Sequence, residues 1–193
     1  MFIDYLTLML VNMAAGLFIL SVFVARGLTE GDQRKWTPAF AAVGLVASVC
    51  GFAMSFGWPL PGSYNMAFGE LSVLFGSTFL AAALCMALGW SLAAVAIYAF
   101  FGGLASLIVG VGIIRMGMTK APLFSGVGFI ITGLGGILAY ATLRLKGNAV
   151  VRRIGSLAML AAAIIWALVG YMAYWDHLST LKTWHPATMK QQQ

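Results

Sequence analysis

The chain has 193 residues, 62% of them hydrophobic and 8% charged, with a formal net charge of +6 and a mean hydropathy of +0.96. A soluble domain of this length cannot hide so much apolar surface, which excludes a water-soluble globular protein and implies an integral membrane protein. None of the eleven basic residues sits within an apolar run; they fall in the short links and the tail, a membrane-orientation pattern that speaks against a nucleic-acid-binding face.

A helix needs about 20 apolar residues to cross the hydrocarbon, and six runs fit, near 4–25, 38–57, 67–88, 91–114, 122–143 and 154–176. Runs this long and this apolar exclude alternating barrel strands. The expected fold is all-α, a six-helix transmembrane bundle forming one membrane domain over 1–193, with a short polar tail at 177–193 that should be poorly ordered. Met1 leads almost directly into the first run, between Asp4 and Arg26. The run is too long and wrongly flanked for a cleaved signal, so it reads as a first span.

The first span carries Asn12 at mid-depth, a residue type that serves more often as inter-helix glue than as a ligand site. Ala47, Gly51 and Ser55 form a smooth face on the second span, as do Gly102, Ser106 and Gly110 on the fourth and Gly128, Thr132 and Gly136 on the fifth. Such faces let backbones approach closely, or keep a pore wall narrow. Cys50 and Cys85 lie in apolar runs and read as small hydrophobes. Between the second and third spans stands WPLPGSYNMAFGE, Trp58 to Glu70, with two prolines, a Gly-Ser turn and an acid at the mouth of the next span. Glu70 is the one acid placed inside a span beyond its first residues. An ionisable group there faces a cavity or a partner, or is a charge favoured by the helix N-terminus. Tyr64 and Asn65 beside it complete a candidate vestibule. Trp166, midway along the sixth span, fills the core or narrows a pathway.

Arg26, Arg34, Lys35, Arg144, Lys146, Arg152 and Arg153 make seven cations on one side, against four on the other, Arg115, Lys120, Lys182 and Lys190. The positive-inside rule then puts both termini outside the cell membrane. Trp36, Trp58, Trp90 and Trp175 fall at span ends, as interfacial aromatics do. Pro38-x-Phe40-x-x-Val43-Gly44 and Ser48 echo Pro122-x-Phe124-x-x-Val127-Gly128 and Thr132 at identical spacing. This suggests half-repeats over 1–88 and 91–176, inverted because each holds an odd number of spans.

Enzyme chemistry is not expected. His177 and His185 lie at or beyond the end of the last span, which disfavours haem, and no His/Cys/Glu constellation marks a metal site. No Gly-rich loop bears a phosphate-binding Lys, and no Ser or Thr has a His partner at depth. No cofactor is therefore expected.

The run Trp58 to Glu70 followed by Leu71-Ser-Val-Leu-Phe-Gly76, with the MFIDYLTLML start and the GLTEGDQRKW link, resembles a prokaryotic membrane family known as domain of unknown function number 981. That likeness spans nearly the whole chain and implies an architecture without an activity. A weaker resemblance is to the AmiS/UreI urea and amide channels. It rests on Gly27, Leu28, Thr29, Asp32 and Arg34 in the first link, and on Asn65 followed by Leu74, Phe75, Gly76, Thr78, Phe79 and Leu80. It implies a homo-oligomer with a pore in each protomer. The tryptophan pair of the fifth span and the glutamate of the sixth are missing here, so the urea filter does not carry over. The expected role is a channel or facilitator for a small neutral, urea- or amide-like solute, with candidate positions Glu70, Asn65, Tyr64, Asn12 and Trp166. The competing expectation is a non-catalytic subunit of a larger membrane complex, such as a respiratory assembly.

Overall fold

The computed structural model describes residues 5–180 as helices joined by short links, with no strand among the described residues. The helices are α1 (Tyr5–Ala25), α2 (Thr37–Gly57), α3 (Leu71–Leu88), α4 (Ala93–Met116), α5 (Pro122–Arg144) and α6 (Ala149–Thr180), with a π-helical turn at Asn65–Glu70 leading into α3. All six are long and apolar enough to span a bilayer, so the chain is a multi-pass, all-α membrane protein. The expected disorder of the tail, and Asp4, Lys182, His185 and Lys190, lie outside the described residues, apart from the stretch 177–180, which continues α6.

Local chemistry sets the ends of these helices. Proline stands in the first turn of α2 and of α5, where its missing N–H would have no intrahelical partner anyway. The side chain of Asn148 accepts from the N–H groups of Val150 (2.9 Å) and Val151 (3.4 Å). That cap starts α6 at Ala149, well before the expected 154. Arg152 and Arg153 are consequently helical, as are Arg115 and Arg144 in the last turns of α4 and α5. The cations are thus not confined to links, because a long side chain can carry its charge from a helix end to water. Gly89 (φ 71°) and Gly117 (φ 61°) end α3 and α4 in the left-handed conformation, returning their N–H groups to the last carbonyls.

The links α1–α2, α3–α4 and α5–α6 lie at one end of the bundle, here the basic end. The links α2–α3 and α4–α5 lie at the other, the terminal end, with Tyr5 and Thr180. Each helix packs on its chain neighbours, and α6 closes back on α1. Three antiparallel pairs dominate, α2/α3, α4/α5 and α1/α6. In α2/α3, a Cβ on Gly44 or on Gly51 would lie 2.9 Å from the carbonyl oxygen of Gly76 or Gly69. In α4/α5, a Cβ on Gly103 would lie 2.5 Å from the Gly133 oxygen and one on Gly110 2.8 Å from that of Gly126. Backbones this close gain the dispersion that lipid does not supply through the hydrophobic effect. The α1/α6 pair is tied instead by the Ser21 hydroxyl, which donates to Ser156 O at 2.9 Å, and by Thr7 Oγ1 with His177 Nδ1 at 3.2 Å.

The echoed glycines Gly44 and Gly128 each face the next helix, α3 and α6. The partners differ, however. Gly44 meets Gly76, whereas Gly128 meets the indole of Trp166, 3.1 Å from where its Cβ would be. A glycine opposite a glycine lets α2 and α3 close, and an indole holds α5 and α6 apart. The α5/α6 contact is accordingly much the smaller of the two.

Candidate functional site

The middle of the bundle is filled differently at its two ends. Towards the terminal end, Trp166, Phe129, Met54 and Ile113 are each less than 2% exposed. Phe129 stands edge-on to Trp166 at 4.8 Å between ring centroids and tilted against Phe68 at 5.4 Å. Towards the basic end, an aromatic series lines the α1–α3 side. Trp36 meets Phe23 (5.6 Å), Phe23 meets Phe40 (5.2 Å), Phe40 stacks on Phe79 (4.9 Å), and Phe79 meets Phe75 (4.5 Å). Opposite them stand small residues of α4, α5 and α6, among them Gly102, Gly135, Gly155 and Ala158, and between the two walls lies a cavity of about 550 Å³.

No charged side chain lines this cavity, and its polar side chains are four hydroxyls. All four donate to backbone carbonyls: Thr78 to Leu74 (2.8 Å), Ser106 to Phe129 (2.8 Å), Thr132 to Gly128 (2.8 Å) and Thr142 to Leu138 (3.0 Å). Their protons are therefore committed to the helices and not to an occupant. Leu134, Leu138, Leu145 and Ile154 line the cavity and are themselves 44%, 55%, 52% and 64% exposed. The cavity thus opens sideways as a slot between α5 and α6, beside the basic end. Towards the terminal end it stops at Phe129 and Leu71.

The α1–α2 link caps the basic end, with Leu28 buried and lining the cavity. Trp36 Nε1 donates to Glu30 Oε2 at 2.9 Å, and Lys35 pairs with Glu30 Oε1 at 3.0 Å. The indole N–H first, and then the ammonium, hold the Glu30 carboxyl below its usual range. Asp32 accepts from the N–H of Arg34 at 3.0 Å. Glu30 and Asp32 are the two carboxylates at this end, against seven cations.

None of the five positions singled out from sequence lines the cavity, and the structure does not gather them into one site. Asn12 donates to Val43 O at 3.0 Å and joins α1 to α2. Asn65 is fully buried, and its amide is occupied by its own link: it accepts from Leu60 N at 2.9 Å and donates to Leu60 O and to Gly62 O. Tyr64, half-buried, lies nearly parallel to Phe68 at 6.4 Å. With Leu60 it packs onto the core, so the stretch Trp58 to Glu70 is folded down over the solid end. Glu70 is exposed and makes no ion pair among the described residues. Trp166 is sealed in the core, donating from Nε1 to Thr132 Oγ1 at 3.2 Å. On the small-residue face of α5, Gly128 receives the indole and Gly136 abuts Ala99 O, while Thr132 and Gly136 also line the cavity.

Sequence reasoning missed Leu134 and Ile154, which read only as parts of long apolar runs, and met Phe75 and Phe79 only through the channel resemblance, not as cavity residues. Among the described residues no group of His, Cys, Asp and Glu could hold a metal.

No curated protein and no solved structure matches the chain, and the resemblance to the AmiS/UreI channels gains no support. One family model does match, over residues 1–180, and the chain belongs to that family, described as "Protein of unknown function (DUF981)".

Proposed function

We propose that this membrane protein binds a lipophilic molecule, admitted from the bilayer through the α5/α6 slot, as a facilitator or carrier and not as an enzyme. One observation carries the reading: a cavity of about 550 Å³, the size of a site for one small ligand, whose four hydroxyls all donate to backbone. A urea- or amide-like solute leaving water needs hydrogen-bonding partners along its path. The cavity wall offers it none of its hydroxyl protons, so the small neutral solute is narrowed to an apolar one.

Photolabelling in nanodiscs of neutral phosphatidylcholine tests this, with a diazirine-bearing hexadecanol as probe. A Cβ on Gly102 has only Leu74 Cβ nearby, at 3.8 Å, and one on Gly155 only Val24 Cγ1, at 3.4 Å. Leucines at these two positions would fit the backbone and fill the cavity. The expected result is label on the segments holding Phe75 and Met159 in the wild type, lost in Gly102→Leu/Gly155→Leu while label on the outer face of α4 persists. Label confined to outward-facing residues, or unchanged in the filled variant, would overturn the reading.

A further inference from the structure

The link that closes the slot at the basic end is also the most cationic stretch of the chain. Arg144, Lys146, Arg152 and Arg153 lie within ten positions of one another, around the four-residue turn that joins the two helices flanking the opening. Two of them are used within the fold. Arg152 donates from Nε to Ala25 O at 3.4 Å and from Nη1 to Lys146 O, which ties the turn to the end of α1. Arg144 donates from Nε to Tyr140 Oη at 3.1 Å, its guanidinium 5.3 Å from that ring's centre. Lys146 and Arg153 are exposed and make no ion pair among the described residues. The two carboxylates of this end are engaged elsewhere, Glu30 with Lys35 and Trp36 and Asp32 with the Arg34 N–H. An apolar slot therefore ends, at the level of the headgroups, in two uncompensated cations.

We infer that the occupant is an anionic single-chain amphiphile, its acyl or isoprenoid chain in the cavity and its carboxylate or phosphate head against Lys146 and Arg153. This rests on the reading of the cavity given above. Basic residues near a bilayer surface attract anionic headgroups at about 1 kcal/mol each, and Lys146 and Arg153 each adjoin in sequence a residue that lines the slot, Leu145 and Ile154. The cavity volume of about 550 Å³ falls within the range of a single small ligand, which favours one chain over a whole phospholipid.

The test compares three diazirine-bearing probes in neutral phosphatidylcholine nanodiscs: palmitate, hexadecyl phosphate and hexadecanol. Label on the cavity segments holding Phe75 and Met159 should appear at about tenfold lower concentration for an anionic probe than for the alcohol. The better of palmitate and phosphate identifies the head. Lys146→Gln/Arg153→Gln should remove that advantage and leave hexadecanol labelling unchanged, whereas Lys146→Arg/Arg153→Lys should retain it. Equal labelling by all three probes, or a Gln variant that lowers all three alike, overturns the anionic head and leaves the apolar cavity standing. Absence of cavity label with every probe overturns both.

Discussion

The terminal and basic halves of this bundle are built from the same residue types, yet one is solid and the other hollow. In both halves glycines that admit no Cβ set the distance between backbones within the α2/α3 and α4/α5 pairs. The space between pairs is left to the side chains that point inward. At the terminal half, α5 supplies Phe129, which meets Phe68, and α6 supplies Trp166, which meets Phe129, and together they close the middle. At the basic half the same two helices supply Gly135, Gly155 and Ala158 beside the outward-leaning Leu134, Leu138 and Ile154, and, Phe129 apart, no aromatic of α5 or α6 lines the cavity opposite those of α1, α2 and α3. Close packing of pairs therefore does not imply a filled bundle: large and small residues along α5 and α6 decide where the cavity lies.

Truncation at the two ends tests this contrast most severely. Trp166→Ala removes a fully buried indole and its hydrogen bond to Thr132, and should cost about 3–5 kcal/mol. Phe75→Ala enlarges a space that already exists beside a half-buried ring, and should cost well under half of that. Unfolding of the two variants in one detergent or bilayer system measures the difference. Equal losses would mean that the hollow half is as tightly packed as the solid one.

A pair of neighbours on α4 makes the same comparison within one turn. Gly103 faces α5, where a Cβ would lie 2.5 Å from Gly133 O and 2.8 Å from Ile137 N. Gly103→Leu cannot be accommodated without separating the pair, and a loss of about 1–3 kcal/mol or more is expected. Gly102 faces the cavity, and Gly102→Leu should be neutral or slightly stabilising, since a helical glycine costs roughly 0.5–1 kcal/mol relative to alanine. Thermal unfolding of the two single variants checks this. Similar losses would place Gly102 in a tight contact and remove the cavity wall.

The six spans were legible because hydrophobic length is a property of each segment alone. The closure of α6 on α1 was not, since it is decided by contacts such as Ser21 with Ser156, 135 residues apart. Asn12 and Trp166 could be assigned from sequence to helix glue or core, but not to the partners Val43 and Thr132. Asn65 looked like a vestibule residue because polarity beside a span suggests solvent. Its amide is instead consumed by the link that precedes it, at Leu60 and Gly62, a local competition that composition does not reveal. The cavity was illegible for a related reason: in an almost wholly apolar chain, the residues around a void have the same character as those facing lipid. The slot's cations were visible and read as orientation, and only the position of the α5–α6 turn beside the opening gives them a second meaning.

Acidification should loosen the hollow half and spare the solid one. Glu30 holds Trp36 against Phe23 in the link that caps the basic end of the cavity, and its carboxyl is depressed in the folded protein by the indole N–H and by Lys35. A depressed carboxyl contributes its stabilisation above its unfolded value and loses it as pH falls through the folded value. Wild-type melting temperature should therefore fall more steeply than that of Glu30→Gln once pH drops below the usual carboxylate range. Tryptophan emission should report the movement of Trp36 in the same window. Parallel pH profiles for the two proteins would show that this link does not brace the cavity.

The smallest effect is expected at the residue the sequence made most conspicuous. Glu70 ends the π-helical turn on the outside of the solid half, while Ala67, Phe68 and Gly69 before it are buried against the bundle. Glu70→Gln should change stability by no more than about 0.5 kcal/mol, the range of surface substitutions. In liposomes, urea flux should equal that of protein-free vesicles for wild type and variant alike. The Phe68–Phe129–Trp166 contacts leave no polar route for urea through the terminal half, so a carboxylate outside them has nothing to gate. Urea flux above background that Glu70→Gln abolishes would require a hydrated path through those rings, and the contrast between the two halves would then describe a closed channel.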